Sequence, residues 1–196
     1  MRREVHYGLG KGAVYPAAKA KALLNPLRRL VQPPGRIVGR LGLAPDSRVL
    51  EIGPGPGYFS IEAAAQVPEG LLCMFDLQEG MLKLAQERVT RAGLTNCRMA
   101  RGDAMELPFK GDAFDVAFLV AVLGEIPGPG VCLTEVFRVL RPGGLLSVTE
   151  MRGDPDRVKP DNLRELAAGC GFLFEARNGG GWSHTFSFRK PVPAPR

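Results

Sequence analysis

Val49-Leu50-Glu51-Ile52-Gly53-Pro54-Gly55-Pro56-Gly57-Tyr58-Phe59-Ser60 decides the fold. Three of its first four residues are apolar, the composition of a strand buried on both faces in a parallel sheet. Three glycines at alternate positions then turn the chain. Without a Cβ, each permits a tight turn or the close approach of a ligand to the backbone. Pro54 and Pro56 between them fix φ and stiffen the loop. Phe59-Ser60-Ile61-Glu62-Ala63-Ala64-Ala65 follows, alanine-rich and able to propagate a helix, and a helix N-terminus presents free N–H groups. Strand, glycine turn and helix in that order form the opening unit of a nucleotide-binding α/β fold.

Outward from this loop the alternation of strand and helix continues. Leu71-Leu72-Cys73-Met74-Phe75 is a second buried-strand run, ended by Asp76, 19 residues after Gly57. An acid at this point of such folds takes ribose hydroxyls, and a carboxylate accepts two hydrogen bonds at once, which suits a vicinal diol. Asp76 is also placed to cap the following helix, whose apolar positions read as Met81, Leu84, Ala85 and Val89 and which stops at Ala92-Gly93. Residues 96–100 read as strand three and lead into Arg101-Gly102-Asp103-Ala104. Asp112-Ala113-Phe114-Asp115 opens strand four, residues 116–120, the expected centre of the sheet. Ala121-Val122-Leu123-Gly124-Glu125-Ile126-Pro127 lies beyond its carboxyl end, where a substrate face belongs. Val131, Leu133, Val136, Phe137 and Leu140 form the stripe of a helix ended by Arg141-Pro142-Gly143-Gly144, before strand five at 145–149. Asp161 reads as the cap of a last helix with Leu163, Leu166 and Ala167 inward. Residues 171–175 and 185–188 read as an antiparallel hairpin turning through Asn178-Gly179-Gly180-Gly181, with Phe186 and Phe188 on one face.

Upstream of the loop the patterning is weaker. Residues 17–24 suit a helix. Leu27, Leu30 and Val31 then face inward on a short helix, with Arg28 and Arg29 outward, and Ile37, Val38 and Leu41 face inward on another. Residues 1–44 hold nine Lys/Arg and one acid, which leaves +8, whereas the remainder is −2, within a whole-chain charge of +6. The basic balance therefore belongs to the leading segment, and such a segment suits either an anionic partner or plain solvation. The expected division is a basic N-terminal arm or lid over 1–44 and a body over 45–196. No apolar run approaches the ~18 residues of a membrane span, and no apolar stretch follows the basic start as in a signal peptide. Cys73, Cys97, Cys132 and Cys170 are widely spaced and read as reduced thiols of a cytoplasmic protein. With two histidines and no C-x-x-C, no metal site is expected.

The glycine spacing separates two chemistries. A dinucleotide fingerprint reads G-x-G-x-x-G; here the third glycine comes one place early and Tyr58 stands where that pattern has glycine, which counts against an NAD(P)-dependent oxidoreductase. Glu51-x-Gly53-x-Gly55-x-Gly57 instead resembles the first motif of class I S-adenosylmethionine (SAM) dependent methyltransferases. Asp76, Asp103-Ala104, Phe114-Asp115 and Leu140-Arg141-Pro142-Gly143-Gly144 follow in that family's order. The resemblance spans roughly residues 45–190 and is closest to the small bacterial type related to ubiquinone and menaquinone biosynthesis enzymes. It implies an α/β, Rossmann-like, seven-stranded, mostly parallel sheet with a C-terminal antiparallel hairpin, helices on both faces, and SAM as cofactor. It implies cofactor contacts from Glu51, Gly53, Gly55 and Gly57, from Asp76 and Leu77, from Asp103 and Ala104, and from Val120. In that pattern Asp103 accepts from the adenine amino group and Ala104 donates its N–H to the ring; a turn aspartate is the alternative.

The implied reaction is in-line attack of an acceptor on the sulfonium methyl. Positioning and exclusion of water can carry it, and a base is needed only if the nucleophile retains its proton. Glu125 is the ionisable group of the substrate face, with a solvated loop acid as its alternative; Glu150, His184 and Tyr15 are further candidates, and no catalytic residue is identified. The acceptor reads as a small molecule or lipid. A SAM-binding protein without catalysis shares the same motifs. A nucleic-acid methyltransferase is less favoured, because strand four does not end in Asn/Asp-Pro-Pro-aromatic and no RNA module is present. Oligomeric state is not legible.

Overall fold

The computed structural model describes residue 8 and residues 13–193, with the side chains of residues 29 and 31 excepted. Arg2, Arg3, Glu4, His6, Gly10, Lys11 and Pro195 lie outside the described residues. Seven strands form one sheet, β1 Arg48–Ile52, β2 Leu71–Asp76, β3 Cys97–Arg101, β4 Phe114–Val120, β5 Leu140–Met151, β6 Leu173–Gly180 and β7 Ser183–Arg189, in the order β3-β2-β1-β4-β5-β7-β6. The first five run parallel, and β7 inserts antiparallel between β5 and β6. This is the sheet expected from the sequence, with β4 at its centre.

Helices cover both faces because the parallel strands are apolar on both sides. On one face α2 (Pro34–Val38), α3 (Ser60–Gln66) and α4 (Glu79–Arg91) lay Val38, Ala63, Ala64, Leu82 and Ala85 on Val49, Leu72, Met74 and Phe118. On the other, α5 (Pro129–Val139) and α6 (Pro160–Gly169) lay Leu133, Val136, Leu163 and Ala167 on Leu50, Phe75, Leu119 and Leu146, with Phe186 and Phe188 sharing that core. The chain order reverses between β1 and β4, and in such sheets ligands bind in the crevice outside the carboxyl ends at that point.

The opposite, amino-terminal ends are stapled. Asp115 accepts the Arg48 N–H at 2.6 Å and pairs with the Arg141 guanidinium. A Cβ at Gly144 would stand 2.8 Å from the Arg141 carbonyl oxygen. The Phe114-Asp115 and Leu-Arg-Pro-Gly-Gly segments therefore lock β1, β4 and β5 together, away from the crevice.

Several local expectations are corrected. Leu82, not Leu84, is buried beside Met81, Ala85 and Val89. At about 100° per residue those four share one arc, and Leu84 falls about 60° outside it. The same geometry turns Cys132 and Val139 inward on α5 and leaves Val131 exposed. Leu140 is a strand residue, and residues 141–144 are absorbed as a register shift in β5. Residues 17–24 form a 3-10 helix, β3 starts at Cys97, and Lys159, not Asp161, stands before α6. Asn178–Gly180 belong to β6, so Gly181 and Trp182 make the turn. At α1 (Arg28–Val31) the expected placement is inverted for Leu27, Leu30 and Arg28: Leu27 and Leu30 are 66% and 80% exposed, while Arg28 turns in over the rings of Tyr58 and Phe59. The Tyr58 and Phe59 rings that follow the glycine loop offer the Arg28 guanidinium a stacking surface there.

Candidate functional site

The glycine loop needs its glycines. Gly53, Gly55 and Gly57 have φ of +68°, +54° and +76°, the left-handed region in which a Cβ is strained. A Cβ at Gly53 would stand 2.5 Å from Val122 Cγ2, and one at Gly57 3.0 Å from Ala85 Cα. The loop is thus pressed between the end of β4 and helix α4. Ala121, which delivers Val122, is itself left-handed at φ +54° and donates its N–H to the Thr149 carbonyl at 2.8 Å. Strain of this kind in a non-glycine residue collects at functional sites.

Glu51 reaches across the loop and accepts the Ser60 hydroxyl at 2.5 Å. It is 2% exposed, and burial pushes its carboxyl up to about 8 against the opposing pull of that hydrogen bond. Glu51 therefore fastens the start of α3 to β1 from beneath the loop.

Asp76 stands at the end of β2, 8% exposed. Its carboxylate accepts the Gln78 N–H at 2.8 Å, with the Gly55 and Leu77 N–H groups also against it. Burial pushes it up to about 6. Three donors occupy about three of the four lone-pair sites of a carboxylate, which leaves room for a further hydroxyl. Leu77 is half-buried and its carbonyl accepts from Arg101 Nε at 3.2 Å. Gly102 donates to the Asp76 carbonyl at 3.1 Å and leaves space for Phe75, whose ring would lie 2.8 Å from a Cβ there. Asp103 is exposed and accepts the Met105 N–H at 2.9 Å, an Asx turn. Ala104 and Val120 are half-buried against the two cores. Every residue of the expected cofactor set thus lies at or just beyond the carboxyl ends of β1 to β4.

An acidic group lies beyond β4 and β5. Glu125 is half-buried, accepts the Tyr15 N–H at 3.3 Å, and is pushed up to about 7 by burial, with Asp154, Asp156 and Asp76 adding to it. Glu150 is 3% exposed and pushed up to about 8 by burial and Asp154. Its Oε1 has no hydrogen-bond partner among the described residues. His184 pairs in register with Glu150 but contacts Arg177 at 3.2 Å, and burial draws its pKa down. The Tyr15 hydroxyl donates to the Lys19 carbonyl of its own segment. Among the described residues no cluster of three His, Cys, Asp or Glu has metal-holding geometry, and no helix is long and apolar enough to cross a membrane. The four cysteines are free.

These raised acids set a pH dependence. A folded carboxyl near 6 to 8 holds its proton where the unfolded group, near 4 to 4.5, has lost it. Between those values the folded state binds more protons, so stability falls as pH rises. We expect the melting temperature to drop from pH 5 to pH 8.5, and Glu51→Gln to flatten the slope. A melting temperature that rises over that window would contradict this burial assignment.

Residues missed by sequence reasoning tie the N-terminal segment over the crevice. The Gln78 side chain accepts the Ala17 N–H at 3.0 Å and donates to the Tyr15 carbonyl at 2.7 Å. The Tyr58 hydroxyl donates to the Gln32 carbonyl at 3.1 Å. Residues 15–32 thereby form a strap touching the ends of β2 and β4 and the glycine loop. Nothing in the local pattern marks Gln78 or Gln32 for these roles. Two shallow surface hollows lie elsewhere, along α4 and between α5 and α6, and neither is lined by a loop residue; the reversal of strand order and the buried Asp76 locate the site better.

A family model described as a methyltransferase domain matches residues 43–177. The demethylmenaquinone methyltransferase of Listeria monocytogenes serotype 4a is 39% identical over 102 residues, 52% of this chain and 43% of that protein. The matched stretches span about half the length of such curated relatives. A SAM dependent methyltransferase from Aquifex aeolicus superposes with a TM-score of 0.83 at 22% identity, covering 89% of this chain and 98% of that one. Phosphoethanolamine N-methyltransferase 2 of Haemonchus contortus, in complex with S-adenosyl-L-methionine, gives 0.71 at 19% identity over 82% and 52%. At those identities the structural likeness is one of fold.

Proposed function

Because the chain belongs to the class I SAM-dependent methyltransferase family, we propose that it transfers a methyl group to a small molecule with a quinone-type nucleus, residues 1–44 acting as a lid over a domain formed by 45–196. The names of the curated relatives support the acceptor class. One observation carries the site: a buried carboxylate, Asp76, held by the Gly55 N–H at the point where strand order reverses. The residues present fit the cofactor, since the carboxylate has a lone-pair site open and the left-handed glycines leave the loop backbone free of side chains.

When bound, SAM supplies an electrophilic methyl on a sulfonium. The chain supplies the rest. Asp76 takes a ribose hydroxyl, and Glu51 holds the loop from below through Ser60. Leu77, Ala104 and Val120 give the adenine an apolar rest, with Asp103 at its amino edge. The strap excludes water, which keeps the reacting groups in place. Glu125, whose carboxyl near 7 suits proton transfer at neutral pH, takes the acceptor's hydroxyl proton.

Calorimetric titration with SAM, S-adenosylhomocysteine and NADH tests the cofactor, followed by methyl transfer to a reduced naphthoquinone or a phospholipid headgroup. Binding of the two adenosyl ligands and methylation of the naphthoquinol are expected. No adenosyl binding would overturn the whole reading, and phospholipid methylation alone would overturn the acceptor. Glu125→Gln should abolish turnover and keep S-adenosylhomocysteine binding; unchanged turnover removes Glu125 from the mechanism.

A further inference from the structure

We propose that Arg28 and Gln32, on the strap that crosses the glycine loop, form a carboxylate-binding subsite for the amino-acid end of the adenosyl cofactor. The inference rests on the cofactor reading above and assigns residues to a part of the ligand that the motifs leave without partners.

Arg28 is a half-buried cation to which no described residue supplies a counter-ion. Its guanidinium lies 4.5 Å over the Tyr58 ring and 5.5 Å from that of Phe59. Nε donates to Gln32 Oε1 at 2.6 Å and Nη1 to the Leu23 carbonyl at 3.0 Å. Among the described residues no carboxylate pairs with it. Burial draws its pKa down, with only Tyr58 and Tyr15 opposing. A half-buried charge with no opposite charge beside it gains from a ligand that completes it.

Gln32 points the same way. It is fully buried, and its Nε2 has no acceptor among the described residues. Turning the amide over does not remedy this, because Nε2 would then face the Arg28 Nε–H, donor against donor. Among the described residues the strap therefore sets side by side a guanidinium that no carboxylate pairs and an amide Nε2 that no acceptor reaches. Their complement is a small planar anion that takes two or more hydrogen bonds.

Position selects the occupant. Tyr58 and Phe59, on which Arg28 rests, follow Gly57 directly. Leu23, which receives Arg28, brings its Cδ1 within 3.7 Å of the place a Gly55 Cβ would take. Gly55 in turn donates to Asp76. An occupant with its ribose at Asp76 and a short chain running along the loop brings a terminal carboxylate to this subsite. An anionic group on the acceptor has the same chemistry, and the test separates the two.

S-adenosylhomocysteine and 5′-methylthioadenosine differ in the amino-acid end, so their affinities are compared by calorimetry in wild type, Arg28→Met, Arg28→Lys and Gln32→Leu. Arg28→Met should weaken S-adenosylhomocysteine at least tenfold and leave methylthioadenosine within threefold. Arg28→Lys, which keeps the charge and loses the fork, should fall between, and Gln32→Leu should act in the same direction. Equal weakening of both ligands would make Arg28 a packing residue and overturn the proposal. Unchanged S-adenosylhomocysteine affinity with a raised KM for the acceptor would also overturn it, moving the anion to the acceptor. If neither ligand binds wild type, the cofactor reading itself fails, an outcome distinct from a failed Arg28 comparison.

Discussion

Replacing Asp76 with Ala should weaken S-adenosylhomocysteine binding about a hundredfold or more. A hydrogen bond to a charged group contributes about 1.5–3 kcal/mol, and each 1.4 kcal/mol is about tenfold in affinity. The carboxylate also holds Gln78, Gly55 and Leu77 N–H groups, so its loss frees both the loop and the start of α4. Asp76→Asn separates the two effects. It keeps an oxygen for the backbone donors and loses the charge, so it should fold as wild type and bind with an intermediate loss. The pH dependence gives a second readout. Burial pushes Asp76 up to about 6, and a hydroxyl donor prefers the ionised, acceptor-only form. Affinity in the wild type should therefore fall as pH drops through about 6, and the Asn variant should lose that step. Calorimetry between pH 5 and 8, with thermal melts as the control for folding, measures both. Wild-type affinity in Asp76→Ala would remove the ribose contact from the site.

What the sequence makes legible here is local. The β1–loop–α3 unit and the acid closing β2 follow from the composition and spacing of neighbouring residues, and the structure places both where those patterns put them; the final hairpin is likewise legible as a pairing, though its turn falls at Gly181-Trp182 rather than across residues 178–181. Phe114-Asp115 and Arg141-Pro142-Gly143-Gly144 were recognisable as signatures, but their purpose, the Asp115–Arg141 staple, needed the fold. The inverted α1 was not legible for the same reason. Leucines at helical spacing read as a buried face until the Tyr58 and Phe59 rings are known to lie beneath Arg28. The strap contacts join residues 61 and 110 apart in sequence, a range no local periodicity reaches. Glu150 presents the same limit: its position after an apolar strand names it as a candidate acid, but its 3% exposure and its nearness to Asp154 and Val158 appear only in the fold.

Gly57→Ala should give the largest loss of stability of any single methyl added to this chain's loop, and three other glycines calibrate it. At φ +76° a Cβ costs about 1–2 kcal/mol for the backbone alone. That Cβ would also stand 3.0 Å from Ala85 Cα and 3.2 Å from its Cβ. The neighbour is backbone in the middle of α4 and cannot rotate away, so overpacking adds about 1–3 kcal/mol. The sum, about 2–5 kcal/mol, is a large share of the ~5–15 kcal/mol of a typical domain. Gly42 shares the left-handed backbone at φ +58° but has nothing within 4 Å of its would-be Cβ, so Gly42→Ala should show the backbone part alone. Gly39 is helical at φ −59° with equally open space, and its Ala variant should be neutral or stabilising by up to about 1 kcal/mol. Gly53→Ala meets Val122 side-chain carbons at 2.5 and 2.7 Å; its loss should exceed that of Gly42→Ala by less than the short distances suggest if Val122 can turn. Urea unfolding of the four variants orders these terms. A Gly57→Ala loss no greater than that of Gly42→Ala would mean that α4 yields to the loop. The close approach of loop and helix would then not be what holds the glycine turn open for a ligand.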